Sequence, residues 1–101
     1  MNVGDIAALA AALDGVHGRL VEGRTEWRYH GRIVARQLDD EHLVIRCDFM
    51  SRDAWCRAFP GTFSVPPRYE KHMMVVADLA QGDPGAIEDV IEGAWDLQRR
   101  T

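Results

Sequence analysis

The chain has 101 residues, 47% apolar and 28% charged, with 12 Lys and Arg against 16 Asp and Glu for a net charge of -4. That length carries one core, so a single domain spanning residues 1–101 is expected, and the balance of apolar and charged residues excludes a disordered chain. The longest apolar run, Ile6 to Leu13, is far shorter than the roughly 20 residues of a membrane span, and an acid at Asp5 excludes a secretory leader, so a cytoplasmic protein with no membrane partner and with reduced Cys47 and Cys56 is expected.

Asp5 predicts the cap of a first helix, with Ile6, Leu9, Ala10 and Leu13 as its buried stripe and Asp14-Gly15 as its stop. Residues 16 to 26 offer only Leu20 and Val21 as apolar anchors and read either as an irregular approach or as an extra short strand. Trp27 and Tyr29, the His30-Gly31 turn, and Arg32 to Leu38 predict a β-hairpin, because glycine supplies the positive φ of a tight turn. Asp39-Asp40-Glu41 then turns the chain into a third strand, His42 to Cys47.

Ser51 predicts the cap of a second helix that buries Ala54, Trp55, Ala58 and Phe59 before Pro60-Gly61 ends it. Thr62 to Pro67 is expected to be extended and stiff, pinned by Phe63 and Val65, since each residue ahead of a proline is pushed away from helix. His72 to Leu79 reads as a β-branched strand, with Tyr69 at its start or in a strand before it. Asp83-Pro84 predicts cap and first residue of a final helix whose buried side carries Ile87, Val90, Ile91, Ala94, Trp95 and Leu97. The expected fold is an α+β two-layer sandwich, α-β(3)-α-β(2)-α, with an antiparallel sheet, helices on one face and the other face free.

LDGV near the start, WRYHGRIVA, LVIRCD, FPGTFSVPPRY, the Val75-Val76 strand and GAWDL near the end stand in an order and spacing that resemble the MmcQ/YjbR family from Leu9 to Leu97. The resemblance implies the same helix and strand order, a CyaY-like or secretion-chaperone-like layer, and a predicted DNA-binding role. Basic residues after the last strand are sparser here than that family's pattern implies.

The charge distribution bears on that role. Between Arg19 and Lys71 ten basic residues face eight acidic ones, an excess of two, whereas the flanks hold two basic and eight acidic, a deficit of six. The candidate nucleic-acid contacts are Arg28, Arg32 and Arg36 along the hairpin, Arg46 on the next strand, and Arg68, Tyr69 and Lys71 in the proline loop. Guanidinium groups suit phosphate bidentately, and Tyr69 or Tyr29 would stack on a base if exposed. The competing account is that arginines alternate outward on any half-buried sheet, with Glu22, Glu26, Asp39 and Glu70 as their partners.

No catalytic, cofactor-binding or metal-ligating residues are expected. Cys47 and Cys56 lack a nucleophile's surroundings, Ser51 lacks an elbow, and His17, His30, His42 and His72 show no HxH or HExxH spacing. The function expected is a noncatalytic binding module with DNA as its candidate partner. The alternative is a protein-interaction module or homodimer acting through the free sheet face. A small-ligand carrier would need a pocket lined by Tyr69, His72 and Trp27.

Overall fold

Asn2, three residues ahead of the expected cap, opens helix α1 (Val3–Ala11). Its side chain accepts from the Asp5 amide at 2.9 Å while the Asp5 carboxylate accepts from the Asn2 amide at 2.9 Å. Two orphan donors are satisfied reciprocally, and Asp5 is the distal half of a capping box rather than the cap. This computed structural model describes residues 1–100.

The stretch left open between irregular chain and strand is strand β1 (Val16–Val21), paired antiparallel with β2 (Arg24–Tyr29). Glu22 and Gly23 form the connection at φ 53° and 81°, and His30 and Gly31 repeat it at 47° and 81° between β2 and β3 (Arg32–Gln37). Two successive positive φ values match the turn to the right-handed twist of the flanking strands. Strands β4 (His42–Arg46), β5 (Phe63–Ser64) and β6 (Met74–Asp78) complete one sheet in the order β1-β2-β3-β4-β6-β5, with every pairing antiparallel. Four strands therefore precede the second helix where three were expected, because a Glu-Gly turn serves as well here as the His-Gly turn that was recognised.

Helix α2 (Phe49–Ala58) starts at Asp48, not Ser51. The Asp48 carboxylate accepts from the Ser51 amide at 2.8 Å and from the Ser51 hydroxyl at 2.9 Å, which holds the carboxyl below its usual range. The buried stripe also differs in part from the expected one. Ala54 and Ala58 face water, and Arg52, Trp55, Cys56 and Phe59 turn inward. Helix α3 (Pro84–Arg99) is capped by Asp83, which accepts from the Ala86 amide at 2.9 Å, with Pro84 leading as predicted.

The helices cover one face of the sheet. Leu43, Ile45, Val75 and Ala77 from the central strands meet Ile87, Val90, Ile91 and Ala94 of α3 and Ile6 and Ala10 of α1, and Trp27 is 3% exposed among them. At about 1.5–3 kcal/mol for each fully buried aliphatic side chain, this layer carries most of the stability. The opposite face is not wholly free. Val44, Val76 and Tyr69 form a second, smaller core there with Leu38, Val65 and Met74, because the proline-rich chain folds back over β4 and β6.

Candidate nucleic-acid interface

The pairing of β2 with β3 slips at one point: Trp27 lies opposite Ala35, but Arg28 lies opposite Ile33. The extra residue is Val34. A β-bulge of this kind turns two successive side chains to the same face, which is why Val34 and Ala35 are both buried in the helix-side core at 1% and 2%. The arginines of the hairpin are separated by it. Arg28 and Arg36 stand on the face away from the helices, whereas Arg32 goes to the helix side and donates from Nη1 to the Gln98 carbonyl at 3.1 Å. Gln98 closes the same contact by donating to the Ile33 carbonyl at 2.6 Å. Arg32 therefore leaves the candidate set, since strict alternation does not survive an inserted residue.

The segment expected to be extended is so through β5 and Pro66, and it turns only at its last residue. Pro67 begins a single 3₁₀ turn, Pro67–Tyr69, so Tyr69 belongs to no strand. The turn is held from beneath by Arg52, a residue outside the candidate set. Arg52 is 9% exposed, and its guanidinium donates to the carbonyls of Tyr69 at 3.2 Å, Glu70 at 3.1 Å, His72 at 2.8 Å and Met74 at 3.4 Å, with the Phe49 ring 4.9 Å away. Four carbonyl dipoles replace a carboxylate as compensation for the buried charge. The signal was present: Arg52, Trp55, Cys56 and Phe59 have the i, i+3, i+4, i+7 spacing of a buried stripe, with a cation at its head.

Tyr69, so placed, is 7% exposed and lies across Val44 and Val76. Its hydroxyl accepts from Arg36 Nη2 at 2.8 Å, and the Arg68 guanidinium sits 4.9 Å from its ring. It braces two arginines and has no ring face for a base. Tyr29, half-buried against the helix-side core and 4.3 Å from the His30 ring, is likewise unavailable. The expected stacking contacts are thus withdrawn, while the expected cation contacts remain.

Around the Arg36–Tyr69 bridge lie two clefts, each of about 450 Å³. The outer one runs between Arg24, Thr25, Gln37 and Arg68, and the inner one is walled by Arg28, Ile33, Arg46, Arg68, His72 and Met74. Lys71 is exposed in the loop and lines neither. The sole carboxylate shared by both is Glu26, itself 8% exposed, whose Oε1 accepts from Arg28 Nε at 2.7 Å and Arg19 Nε at 3.1 Å. The Arg28 hydrogen bond above all holds the Glu26 carboxyl below its ordinary value of 4.5, against the opposing effect of burial. Of the other proposed partners, Asp39 pairs with His42 at 2.9 Å, and among the described residues no ion pair joins Glu22 or Glu70 to an arginine. Among the described residues Arg36, Arg46 and Arg68 pair with no carboxylate.

Trp27 packs on the helix side of the sheet, so Tyr69, His72 and Trp27 do not share the pocket that a small-ligand carrier would need. Burial pushes the Cys47 thiol up to about 11 and raises that of Cys56, which keeps both as protonated thiols. Among the described residues no three His, Cys, Asp or Glu side chains cluster to hold a metal ion, and no helix is long and apolar enough to cross a membrane. Comparison with protein-family models, curated proteins and solved structures gives no match for this chain.

Proposed function

We propose that the protein is a noncatalytic nucleic-acid-binding module of MmcQ/YjbR type, taking the sugar-phosphate backbone against the open part of its sheet. One observation carries the reading: Arg19, Arg28, Arg36, Arg46 and Arg68 share a face on which Glu26 is the single buried acid, in a chain whose net charge is -4. The acids of α3, namely Glu88, Asp89, Glu92 and Asp96, belong to the opposite layer. Such segregation focuses a positive potential on one surface, and rigid guanidinium forks suit phosphate oxygens. Contact is through cations alone, without an aromatic platform from either tyrosine, so the binding is sequence-tolerant. The helix–sheet–helix–sheet–helix order supports kinship with the MmcQ/YjbR proteins.

A homodimer through this same face is the competing reading. It would set these guanidinium groups against their own copies across a two-fold axis, and like charges so opposed repel. The geometry favours a polyanion.

Fluorescence anisotropy with labelled single- and double-stranded 20-mers at two salt concentrations tests the proposal. With about four phosphates neutralised, log K falls with log salt at a slope of roughly -3 on single strands. The R19Q/R36Q/R68Q variant is expected to lower that slope by about two and to bind at least tenfold more weakly. Arg28 stays in place because it makes the shorter of the two hydrogen bonds to Glu26 and is the less exposed of its two partners. Equal binding by the variant, or binding indifferent to salt, would reject the face.

A further inference from the structure

Arg46 is the least satisfied cation on the sheet. Its Nε is buried without a hydrogen-bond partner, and Nη2 reaches only the Met73 sulfur at 4.0 Å. Arg46 is half-buried in the wall of the inner cleft, and a guanidinium so placed with no oxygen acceptor from the protein has donors left for an oxygen-rich ligand. Around it the inner cleft sets four guanidinium groups, Arg28, Arg36, Arg46 and Arg68, against the one carboxylate of Glu26, an excess of three positive charges. Glu26 Oε1 is already engaged by Arg19 and Arg28.

We infer that the inner cleft receives a phosphate monoester, the terminal phosphate of a nucleic-acid strand. The inference rests on the nucleic-acid reading above. An internal phosphodiester brings one charge and needs room for chain on both sides of it. A monoester brings about 1.5 to 2 charges and three acceptor oxygens, which fits several converging guanidinium forks. The cleft also suits an end site: His72 and Met74 stand at one end, the Arg36–Tyr69 bridge stands at the other, over which the strand continues, and a volume of about 450 Å³ holds one nucleotide. Ile33 and Met74 supply apolar wall for the attached sugar. The outer cleft, where Arg24, Arg36 and Arg68 stand against Glu22 and Glu26, then carries the following backbone.

The test measures anisotropy of internally labelled 12-mers that carry a 5′-phosphate, a 3′-phosphate or hydroxyls at both ends, with inorganic phosphate and a nucleoside monophosphate as competitors. A terminal phosphate is expected to tighten binding about tenfold over the hydroxyl strand, and Arg46→Gln to bring that ratio to about one. Arg46→Lys, which keeps the charge without the fork, is expected to retain part of the ratio and serves if the glutamine variant fails to fold. If all three strands bind alike, and Arg46→Gln weakens them alike, the terminal-phosphate inference falls and the backbone reading stands. If no strand binds but the nucleoside monophosphate does, in an Arg46-dependent way, the monoester site stands and the nucleic-acid reading falls. Absence of binding by every probe removes both.

Discussion

Replacing Arg52 by Met removes the guanidinium that carries the proline loop while keeping an unbranched apolar stem of similar length in the gap. Four carbonyls lose a charged donor, at 3.2, 3.1, 2.8 and 3.4 Å. A hydrogen bond to a charged group is worth about 1.5–3 kcal/mol net, but the four are not additive. The contact to Met74 is long, and the Tyr69 and His72 carbonyls also accept from the amides of His72 and Met74. The Glu70 carbonyl depends on Arg52 most. The variant also abolishes the cost of burying an unpaired cation, so the net loss is about 2–3 kcal/mol, or roughly 10–20 °C in Tm for a chain of this size. Urea unfolding followed by circular dichroism measures it, with the slope m as the control for a two-state comparison. The same variant should lose nucleic-acid affinity, because Arg68 and the Tyr69 brace on Arg36 move with the loop, and Arg52→Lys should not restore either property, since one ammonium cannot span four carbonyls. A loss under about 0.5 kcal/mol at unchanged m would refute the claim that Arg52 holds this loop.

Glu26→Gln gives up the charge in two hydrogen bonds to arginine and is expected to cost about 1–2 kcal/mol at neutral pH while tightening nucleic-acid binding, because one negative charge leaves the face. The native Glu26 carboxyl lies below 4.5, so its stabilisation is full above that value and drains away as pH falls through the lowered one; the stability gap between wild type and variant should therefore narrow as pH is taken below 4.5, and a constant gap would count against the ion pairs. Gly82→Ala would place a Cβ against the Asp78 carbonyl and 2.9 Å from the Thr62 methyl, a clash that forces the backbone to shift, for an expected loss of about 1–3 kcal/mol in thermal melts. In a Cys56→Ser background, Cys47 with a thiol near 11 should react with iodoacetamide at pH 8 more than about 100-fold slower than in urea, and fast labelling of the folded protein would contradict its burial.

Much of the local structure follows from neighbours in the chain. Asp83-Pro84 caps α3, the apolar stripe from Ile87 to Ala94 gives its buried side, and His30-Gly31 makes the hairpin, because each depends on contacts spanning only a few residues. The caps of α1 and α2 were legible only as to kind. Both true caps, Asn2 and Asp48, lie three residues ahead of the predicted ones, and in each case the residue taken for the cap is its hydrogen-bonded partner. In α2 tertiary contacts decided which side chains were buried, so Ala54 and Ala58 went to water and Arg52 turned to the carbonyls of the proline loop.

Most of the candidate site was visible as a set of residue types but not as an arrangement. Arg28, Arg36, Arg46 and Arg68 do meet, whereas Arg32 is carried to the other face, Tyr69 is buried, and Lys71 stands apart. Arg19 was missed because its strand was ambiguous, and Arg52 because its acceptors lie far along the chain.

Taken alone, the order of residues determined an α+β chain with an antiparallel sheet, its final helix, its central hairpin and a surplus of arginine in the middle segment. Only the tertiary structure decided which of those arginines share a surface. A period of two assigns faces along an uninterrupted strand, and the single extra residue at Val34 reverses the assignment beyond it. The position of the proline loop rests on Arg52, whose acceptors lie 17 to 22 residues away, a separation at which nothing in the local sequence announces the contact.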